Sequence, residues 1–224
     1  MPVLSERLKL IASMVPQGKS VCDVGTDHGY LPAALCLSGK YSSITATDIR
    51  EKPLENAKKN LKKLNIKGVD LILCDGLQKV SEEKAETVII AGMGGDVISG
   101  IIENCPYKEK SVFILQPMTA AQVLREYLAK NGFFVETEVA ITENKKIYSV
   151  MRCRFDGKKR ELSPSQKRIG KLSATTEENI KYIKKQSDIC NKCIKDLKNA
   201  GISSPALEEN IIAANEIKTI LEDI

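Results

Sequence analysis

The sequence predicts an α/β protein in which helices wind around a parallel sheet, the sheet ends in an antiparallel hairpin, and a pair of helices follows. Between residues 20 and 130, five short apolar runs alternate with helical patterns, as in successive β-α-β units. Two further strand-like runs are separated by the turn-like segment T-E-N-K. After Gly157 the apolar residues recur at alternating spacings of three and four, which indicates a helical seam.

The first 130 residues form the wound part of this fold. Ser5 is predicted to be the N-cap of a first helix, which Pro16 and Gly18 end. Some strands, such as 88–91, are apolar on consecutive residues, as expected for strands that helices cover on both faces. The predicted strands span residues 20–24, 43–48, 69–75, 87–92 and 111–116. The predicted helices span residues 31–38, 52–64, 96–103 and 120–130.

The hairpin predicted from residues 133–141 and 146–155 narrows the fold class. A doubly wound sheet that finishes in an antiparallel pair is typical of methyltransferases that use S-adenosylmethionine (SAM). A dinucleotide-dependent dehydrogenase would instead continue into a separate substrate domain. We therefore expect a Rossmann-like, class I SAM-dependent methyltransferase sheet.

A C-terminal coiled-coil hairpin is predicted after the sheet, with Pro164 at the start of a long first helix and a break near Gly201. The first seam contains Ile180, Ile183, Ser187, Cys190, Ile194 and Leu197. The second contains Leu207, Ile211, Ala214, Ile217 and Leu221. We expect a methyltransferase domain at 1–157 and a coiled-coil domain at 158–224, in a monomer or, alternatively, a dimer joined through the coiled coil.

Composition points to a cytoplasmic protein. The chain has 224 residues, of which 42% are apolar and 28% charged, and early charged residues such as Arg7 interrupt any export signal. Its seven cysteines are an odd, scattered set, which favours a reducing compartment. Cys190 and Cys193 form a lone C-x-x-C pair, and His28 is the only histidine. We expect no metal and no membrane partner.

The loop in V-C-D-V-G-T-D-H-G-Y-L-P, residues 21–32, favours SAM as the ligand. Gly25 and Gly29 let a ligand approach the main chain after a first strand. The carboxylate of Asp27 would repel a pyrophosphate, but it would attract the ammonium group of the methionine part of SAM. Asp48 and Asp75 end the second and third strands, where they suit the ribose hydroxyls and the adenine amino group respectively.

The fourth strand ends in A-G-M-G-G-D, residues 91–96, where methyltransferases of exocyclic amines often carry an Asn/Asp-Pro-Pro-aromatic motif. A ring nitrogen such as adenine N1 already has an in-plane lone pair, so it needs positioning more than deprotonation. Two interpretations are open. The glycines admit a flat base near the methyl donor, or they allow a close crossing of strand and helix.

Three segments resemble the bacterial tRNA (adenine-22-N1)-methyltransferase family, often called TrmK. They are G-T-D-H-G-Y-L-P, I-A-G-M-G-G-D-V-I-S-G-I-I and I-L-Q-P-M-T-A-A-Q-V-L-R-E-Y-L-A-K-N-G-F. The resemblance implies SAM-dependent methylation of N1 of an adenosine in the tRNA D-arm. Met118 stands where the family is expected to have Asn.

The expected site residues follow from the loop and from this resemblance. SAM is expected to contact Gly25, Thr26, Asp27, Asp48, Ile49, Asp75, Gly76, Leu77, Gly92 and Met93. Asp27 is the candidate for orienting the acceptor amino group, and Tyr30 either stacks on the flipped base or packs in the core. For His28 a structural hydrogen bond is favoured over a role as general base.

A basic run is the candidate RNA-binding surface. Residues 145–171 contain ten Lys or Arg against two acidic residues, and the alternative is a solvated face. The expected RNA contacts are Arg7, Lys145, Lys146, Arg152, Arg154, Lys158, Lys159, Arg160, Lys167 and Arg168. Rival functions are a SAM methyltransferase for another acceptor, a non-catalytic RNA-binding protein of the same fold and, third, an NAD oxidoreductase.

Overall fold

The computed structural model describes residues 2–222 and contains seven strands and eight α-helices in that part of the chain. The strands are β1 (Val21–Val24), β2 (Ile44–Asp48), β3 (Val69–Leu73), β4 (Thr87–Gly94), β5 (Val112–Thr119), β6 (Phe133–Glu143) and β7 (Lys146–Phe155). The helices are α1 (Glu6–Ser13), α2 (Tyr30–Leu37), α3 (Glu51–Lys63), α4 (Gly95–Glu103), α5 (Ala121–Lys130), α6 (Pro164–Ile169), α7 (Glu177–Asn199) and α8 (Pro205–Glu222). Residue 1 and the last two residues of the predicted second domain lie outside the described residues.

All seven strands form one sheet in the order β3-β2-β1-β4-β5-β7-β6. The first five strands are parallel, and β7 pairs antiparallel with both β5 and β6. The fold class expected for the sheet is therefore confirmed. At the turn between β6 and β7, Asn144 and Lys145 both have positive φ, as a two-residue turn that matches the strand twist requires.

Helices cover both faces of the sheet. On one face, Ile11 of α1 and Leu35 of α2 pack on Val21 and Ile89, and α3 adjoins α2. On the other face, α4 and α5 cover a second core. Successive residues of β4 point to opposite faces of the sheet. Because helices cover both faces, Val88, Ile89 and Ile90 are all fully buried. This double cover explains why the central strands are apolar on consecutive residues.

The prediction that Pro164 starts a long helix is wrong. The helix α6, capped by Ser163, ends at Ile169, and the long helix α7 begins only at Glu177. Gly170 between them has φ +61° and ψ −129°, and a Cβ at this position would lie 1.9 Å from Oε2 of Glu138. The chain therefore turns at Gly170 because only glycine fits there.

The helices α7 and α8 form an antiparallel hairpin that packs against β6 and β7. Ile183, near the start of α7, and Ile217, near the end of α8, share one buried cluster with Ala140 of β6. Within α8 the small buried residue is Ala213, so the predicted stripe is off by one residue at Ala214. The apolar faces of α7 and α8 are thus buried against each other and against the sheet.

A buried arginine joins the helical part to the sheet. The guanidinium of Arg125 donates to Oε1 of Glu138, to Ser149 and to the hydroxyl of Tyr182. It also donates to the carbonyl oxygens of Lys167 and Arg168. These partners lie on β6, β7, α6 and α7, so the side chain of Arg125 connects its own helix α5 to four other elements.

None of the helices within residues 2–222 is long and apolar enough to cross a membrane. All seven cysteines lie in this range and are free thiols. Cys190 and Cys193 share α7, where Cys190 is buried, as expected of neighbours on one helix face.

Candidate active site

The loop between β1 and α2 is held by its backbone in an unusual conformation. Gly25, Asp27 and Gly29 have φ values of +76°, +49° and +69°. The amides of Gly25 and Thr26 both donate to the carbonyl oxygen of Thr47 in β2. An aspartate tolerates this left-handed region better than most residues do, and the loop can thus place a carboxylate at the carboxyl edge of the sheet.

Gly25 is favoured by its backbone conformation, because its φ of +76° lies in the region that residues other than glycine rarely adopt. A Cβ on Gly25 would lie 2.1 Å from the terminal methyl carbon of Met93, the far end of a flexible side chain. The main chain of the loop therefore lies against Met93, between the ends of β1 and β4.

Three carboxylates surround one cavity at this edge. The cavity has a volume of about 460 Å³ and contains Asp27, Asp48 and Asp75 in its lining. Asp48 is almost fully buried and accepts the Arg50 amide at 3.0 Å, which fixes the carboxylate at the end of β2. The remaining lining residues are Val24, Gly25, Thr47, Ile49, Arg50, Cys74, Gly76, Ala91, Gly92, Met93, Val97 and Ile101.

This lining fits the parts of SAM. The carboxylate of Asp27 could attract an ammonium group, and the carboxylate of Asp48 is a fixed acceptor to which hydroxyl groups could donate. Ile49 and Val97 are 63% and 50% exposed apolar side chains, which a ligand ring would cover. The hydroxyl of Thr47 donates to the carbonyl oxygen of Gly76, so the end of β2 is tied to the loop after β3.

A second cavity of about 300 Å³ adjoins the first and shares Gly25, Asp27, Ala91 and Gly92 with it. Its other lining residues are Arg7, Leu8, Asp23, Thr26, His28, Tyr30, Leu31 and Met118. The two cavities therefore meet at the loop and at the end of β4, where a donor and an acceptor would lie side by side.

Tyr30 lies at the mouth of the second cavity and is 41% exposed, so the alternative of core packing is wrong. Its ring centroid is 5.8 Å from that of His28. Nε2 of His28 lies 3.4 Å from Oδ2 of Asp27, and both side chains are exposed. The structural hydrogen bond favoured for His28 stays a prediction.

The two interpretations of the glycine-rich segment apply to different glycines. At Gly92, φ is +81° and a Cβ would meet nothing within 4 Å, because this position faces the cavities. At Gly95, a Cβ would lie 2.2 Å from the carbonyl oxygen of Ala120. The segment thus combines an open position for a ligand with a close contact at the start of α4.

Asp23 was missed as a site residue. It lies in β1, is buried, and lines the second cavity. Burial, together with the nearby charge of Asp48, raises the pKa of Asp23 to about 6. A carboxylate inside the otherwise apolar strand V-C-D-V was the available signal, because a buried strand rarely contains a charged residue without a reason.

Thr26 and Leu77 do not line the first cavity itself. Thr26 lines the second cavity. Leu77 belongs to the hydrophobic core under α4 and also lines a smaller cavity of about 180 Å³, which shares Asp75, Gly76, Val97 and Ile101 with the first. The cofactor contacts expected of both residues stay predictions.

The expected RNA-binding residues do not form one surface. Lys145 and Lys146 lie at the carboxyl edge of the sheet, which is also the edge that carries the cavities, whereas β7 carries the chain to the opposite edge. The ten residues of β7 span roughly 30 Å at a rise of about 3.3 Å per residue. Lys158 and Lys159 are exposed at that far edge.

Several of these basic residues have acidic partners. Arg152 and Arg154 both pair with Glu136. The further pairs are Arg160 with Asp156, Lys167 with Glu209, and Arg7 with Glu143, while Arg168 donates to Asn210. Arg7 also donates to Gln116 at 2.6 Å and lines the second cavity, so it is part of the cavity wall.

Comparison with known proteins identifies methyltransferases as relatives of this chain. The family model described as "Methyltransferase domain" matches residues 4–151. The tRNA (adenine(22)-N(1))-methyltransferase of Bacillus subtilis is 35% identical over 151 residues, which cover 66% of this chain and 63% of that protein. This alignment thus spans just under two thirds of the relative's length.

Solved structures match over nearly the full length. A Streptococcus pneumoniae protein assigned as a tRNA (m1A22) methyltransferase gives a TM-score of 0.81 at 30% identity, covering 98% of this chain and 99% of that one. Its complex with S-adenosyl-L-methionine gives 0.83 at 28% identity, covering 98% and 100%. The chain belongs to the methyltransferase-domain family and, within it, to the bacterial tRNA (adenine-22-N1)-methyltransferase family.

Proposed function

We propose that the protein transfers a methyl group from SAM to N1 of adenine 22 in the D-arm of bacterial tRNA. The observation that carries this proposal is the pair of adjoining cavities with Gly25, Asp27, Ala91 and Gly92 in their common wall. Direct transfer requires the methyl donor and the acceptor base to be held in contact and in line. Two adjoining cavities that share lining residues would allow this arrangement.

The first cavity would hold the donor. Asp48 would accept hydrogen bonds from the ribose, Asp75 would accept from the adenine amino group, and Asp27 would attract the ammonium group. Ile49 and Val97 would cover the adenine ring. When bound, SAM supplies an electrophilic methyl group.

The second cavity would hold the target adenine after it leaves the RNA stack, because N1 of a stacked or paired base is out of reach. Tyr30 at the mouth would stack on the flipped base. N1 is unprotonated at neutral pH and needs no general base. Asp27 borders both cavities, so its carboxylate would orient the adenine amino group and offset the positive charge that methylation leaves on the ring.

The remainder of the chain would serve RNA binding. Lys145 and Lys146 lie at the same edge of the sheet as the cavities, and the helical domain, taken as residues 158–224, would brace the tRNA from the β6–β7 side. The contact of α7 with α8 and with the sheet supports a monomer, because those apolar faces are already covered. A tRNA substrate and seven free thiols support a cytoplasmic location.

The test is incorporation of tritiated methyl groups from SAM into unmodified bacterial tRNA, followed by nucleoside analysis. The expected product is 1-methyladenosine at one D-arm position, at up to one group per tRNA. A tRNA with guanosine at position 22 is the matched control and should remain unlabelled. Binding of SAM without any labelled RNA would contradict the proposal and would favour another acceptor.

A further inference from the structure

A second basic segment lies on α3 and in the loop after it. Residues 58–67 contain five lysines and no acidic residue: Lys58, Lys59, Lys62, Lys63 and Lys67. All five are exposed, and within residues 2–222 none of them has a carboxylate oxygen within 4.0 Å. By contrast, four of the ten basic residues between 145 and 171 are ion-paired.

The lysines of α3 are arranged in a way that a helix alone does not favour. Lys58 and Lys62 are four residues apart, and so are Lys59 and Lys63, so like charges are neighbours on the helix surface. Lys62 and Lys63 complement the partial negative charge of the last turn, but this accounts for neither Lys58 nor Lys59. These lysines of α3 are therefore available to bind an anion from outside the protein.

One side of α3 contacts the active-site loop. The side-chain amide of Asn60 donates to the carbonyl oxygen of His28 at 3.0 Å. A Cβ on Gly29 would lie 2.8 Å from Cβ of Ala57, so loop and helix are in direct contact. His28 lines the second cavity, and α3 is therefore next to its mouth.

Helical spacing places Lys59 and Lys63 on the side of α3 that faces the loop. Asn56 and Asn60 are one turn apart on that side, and Lys59 and Lys63 each follow one of them by three residues. Lys58 and Lys62 instead line a groove beside the edge strand β3. The helix thus carries two pairs of lysines with the same charge and spacing but different surroundings.

We infer that Lys59 and Lys63 bind backbone phosphates of the RNA next to the target adenine and so hold the nucleotide at the second cavity. This inference rests on the proposed function. The chemistry is that of lysine with phosphate, in which bound cations are released from the RNA and affinity falls with salt.

The experiment compares K59Q/K63Q with K58Q/K62Q, which removes the same charge from the same helix on its other side. The dependence of log affinity for unmodified tRNA on log salt is measured in the presence of S-adenosylhomocysteine. We expect K59Q/K63Q to reduce the slope by about 1.5, since each phosphate contact contributes roughly 0.7 to 0.9. The slope of K58Q/K62Q should change by less than half as much.

Two further measurements separate the outcomes. K59R/K63R keeps both charges and should keep the slope, whereas methylation at saturating tRNA should remain within about twofold of the parent in K58Q/K62Q. An unchanged slope in K59Q/K63Q, or equal changes in both glutamine pairs, would overturn the inference. Absence of methylation by the parent would instead count against the proposed function, and the slopes would still decide the role of α3.

Discussion

Nη2 of Arg125 lies 2.6 Å from Oε1 of Glu138, and the two side chains are only 2% and 0% exposed. The remaining hydrogen-bonding groups of Arg125 reach Ser149, Tyr182 and two carbonyl oxygens of the α6 segment. A buried charge pair is favourable only when its other donors and acceptors are also satisfied. This pair meets that condition with partners from both sides of the predicted domain boundary.

Removing one member of this pair should be costly. We expect R125A to lower the free energy of unfolding by about 3 to 5 kcal/mol, because the carboxylate of Glu138 would remain buried without its partner. Urea unfolding followed by circular dichroism measures the change. The control is R125M/E138L, which removes both charges and should recover most of the loss, and a double variant as unstable as R125A would contradict the explanation.

Asp23 should make stability fall as pH rises. Burial raises its pKa to about 6 in the folded protein, above the ordinary value of an unfolded aspartate, so the folded state binds more protons between roughly pH 4 and 6. The free energy of unfolding should therefore decrease across that window. We expect D23N to remove this slope and to be more stable than the parent at pH 7, by up to about 3 kcal/mol.

Urea unfolding of D23N and of the parent at several pH values between 4 and 8 checks this prediction. D70N is a suitable control, because Asp70 is an exposed aspartate of β3 that pairs with Lys84 at the surface. Equal pH slopes in D23N and the parent would show that Asp23 does not titrate in this window.

Asp27 should affect the rate of transfer. We expect D27N to reduce kcat by about a hundredfold, since it keeps the shape of the side chain but removes the charge that offsets the developing cation. Single-turnover methylation of tRNA, together with the affinity for SAM, measures the two effects separately. A D27N enzyme with parental kcat and parental affinity for SAM would contradict the assignment.

Tyr30 should act through stacking. Loss of a base–aromatic contact costs about 1 to 3 kcal/mol, so Y30A should lose at least fivefold in kcat/KM for tRNA. Y30F retains the ring and should stay within about twofold of the parent. The affinity for SAM should be unchanged in both variants, because Tyr30 lines only the second cavity. Equal losses in Y30A and Y30F would point to the hydroxyl group instead.

Local sequence patterns were sufficient for much of the sheet and its carboxyl edge. Ser5 caps α1 as its position before the helix indicates, and Asp48 ends β2 where parallel strands bind ligands. These features depend on a few neighbouring residues or on a general rule of parallel sheets, and both are readable from one chain.

Features that depend on distant contacts were not readable in the same way. The long helix expected from Pro164 breaks at Gly170 because Glu138, 32 residues earlier, occupies the space of a side chain. The positive charge of Arg152 and Arg154 is offset by Glu136 across the hairpin, and that of Lys167 by Glu209 on α8. Local charge density therefore overestimated one basic run, and the shorter run on α3 went unnoticed.

Reaction of the free thiols with a labelling reagent would report on local unfolding of the protein. Cys22 and Cys153 are buried in the sheet, Cys190 is buried in the helical hairpin, and Cys36 and Cys193 are only partly covered. A thiol reagent should label the last two first, and the buried thiols, which also include Cys74 and Cys105, only as the surrounding structure opens. Equal labelling rates for Cys153 and Cys190 would mean that sheet and helical hairpin open as one cooperative unit, held together by Arg125. Faster labelling of Cys190 would mean that the hairpin detaches while the sheet stays folded.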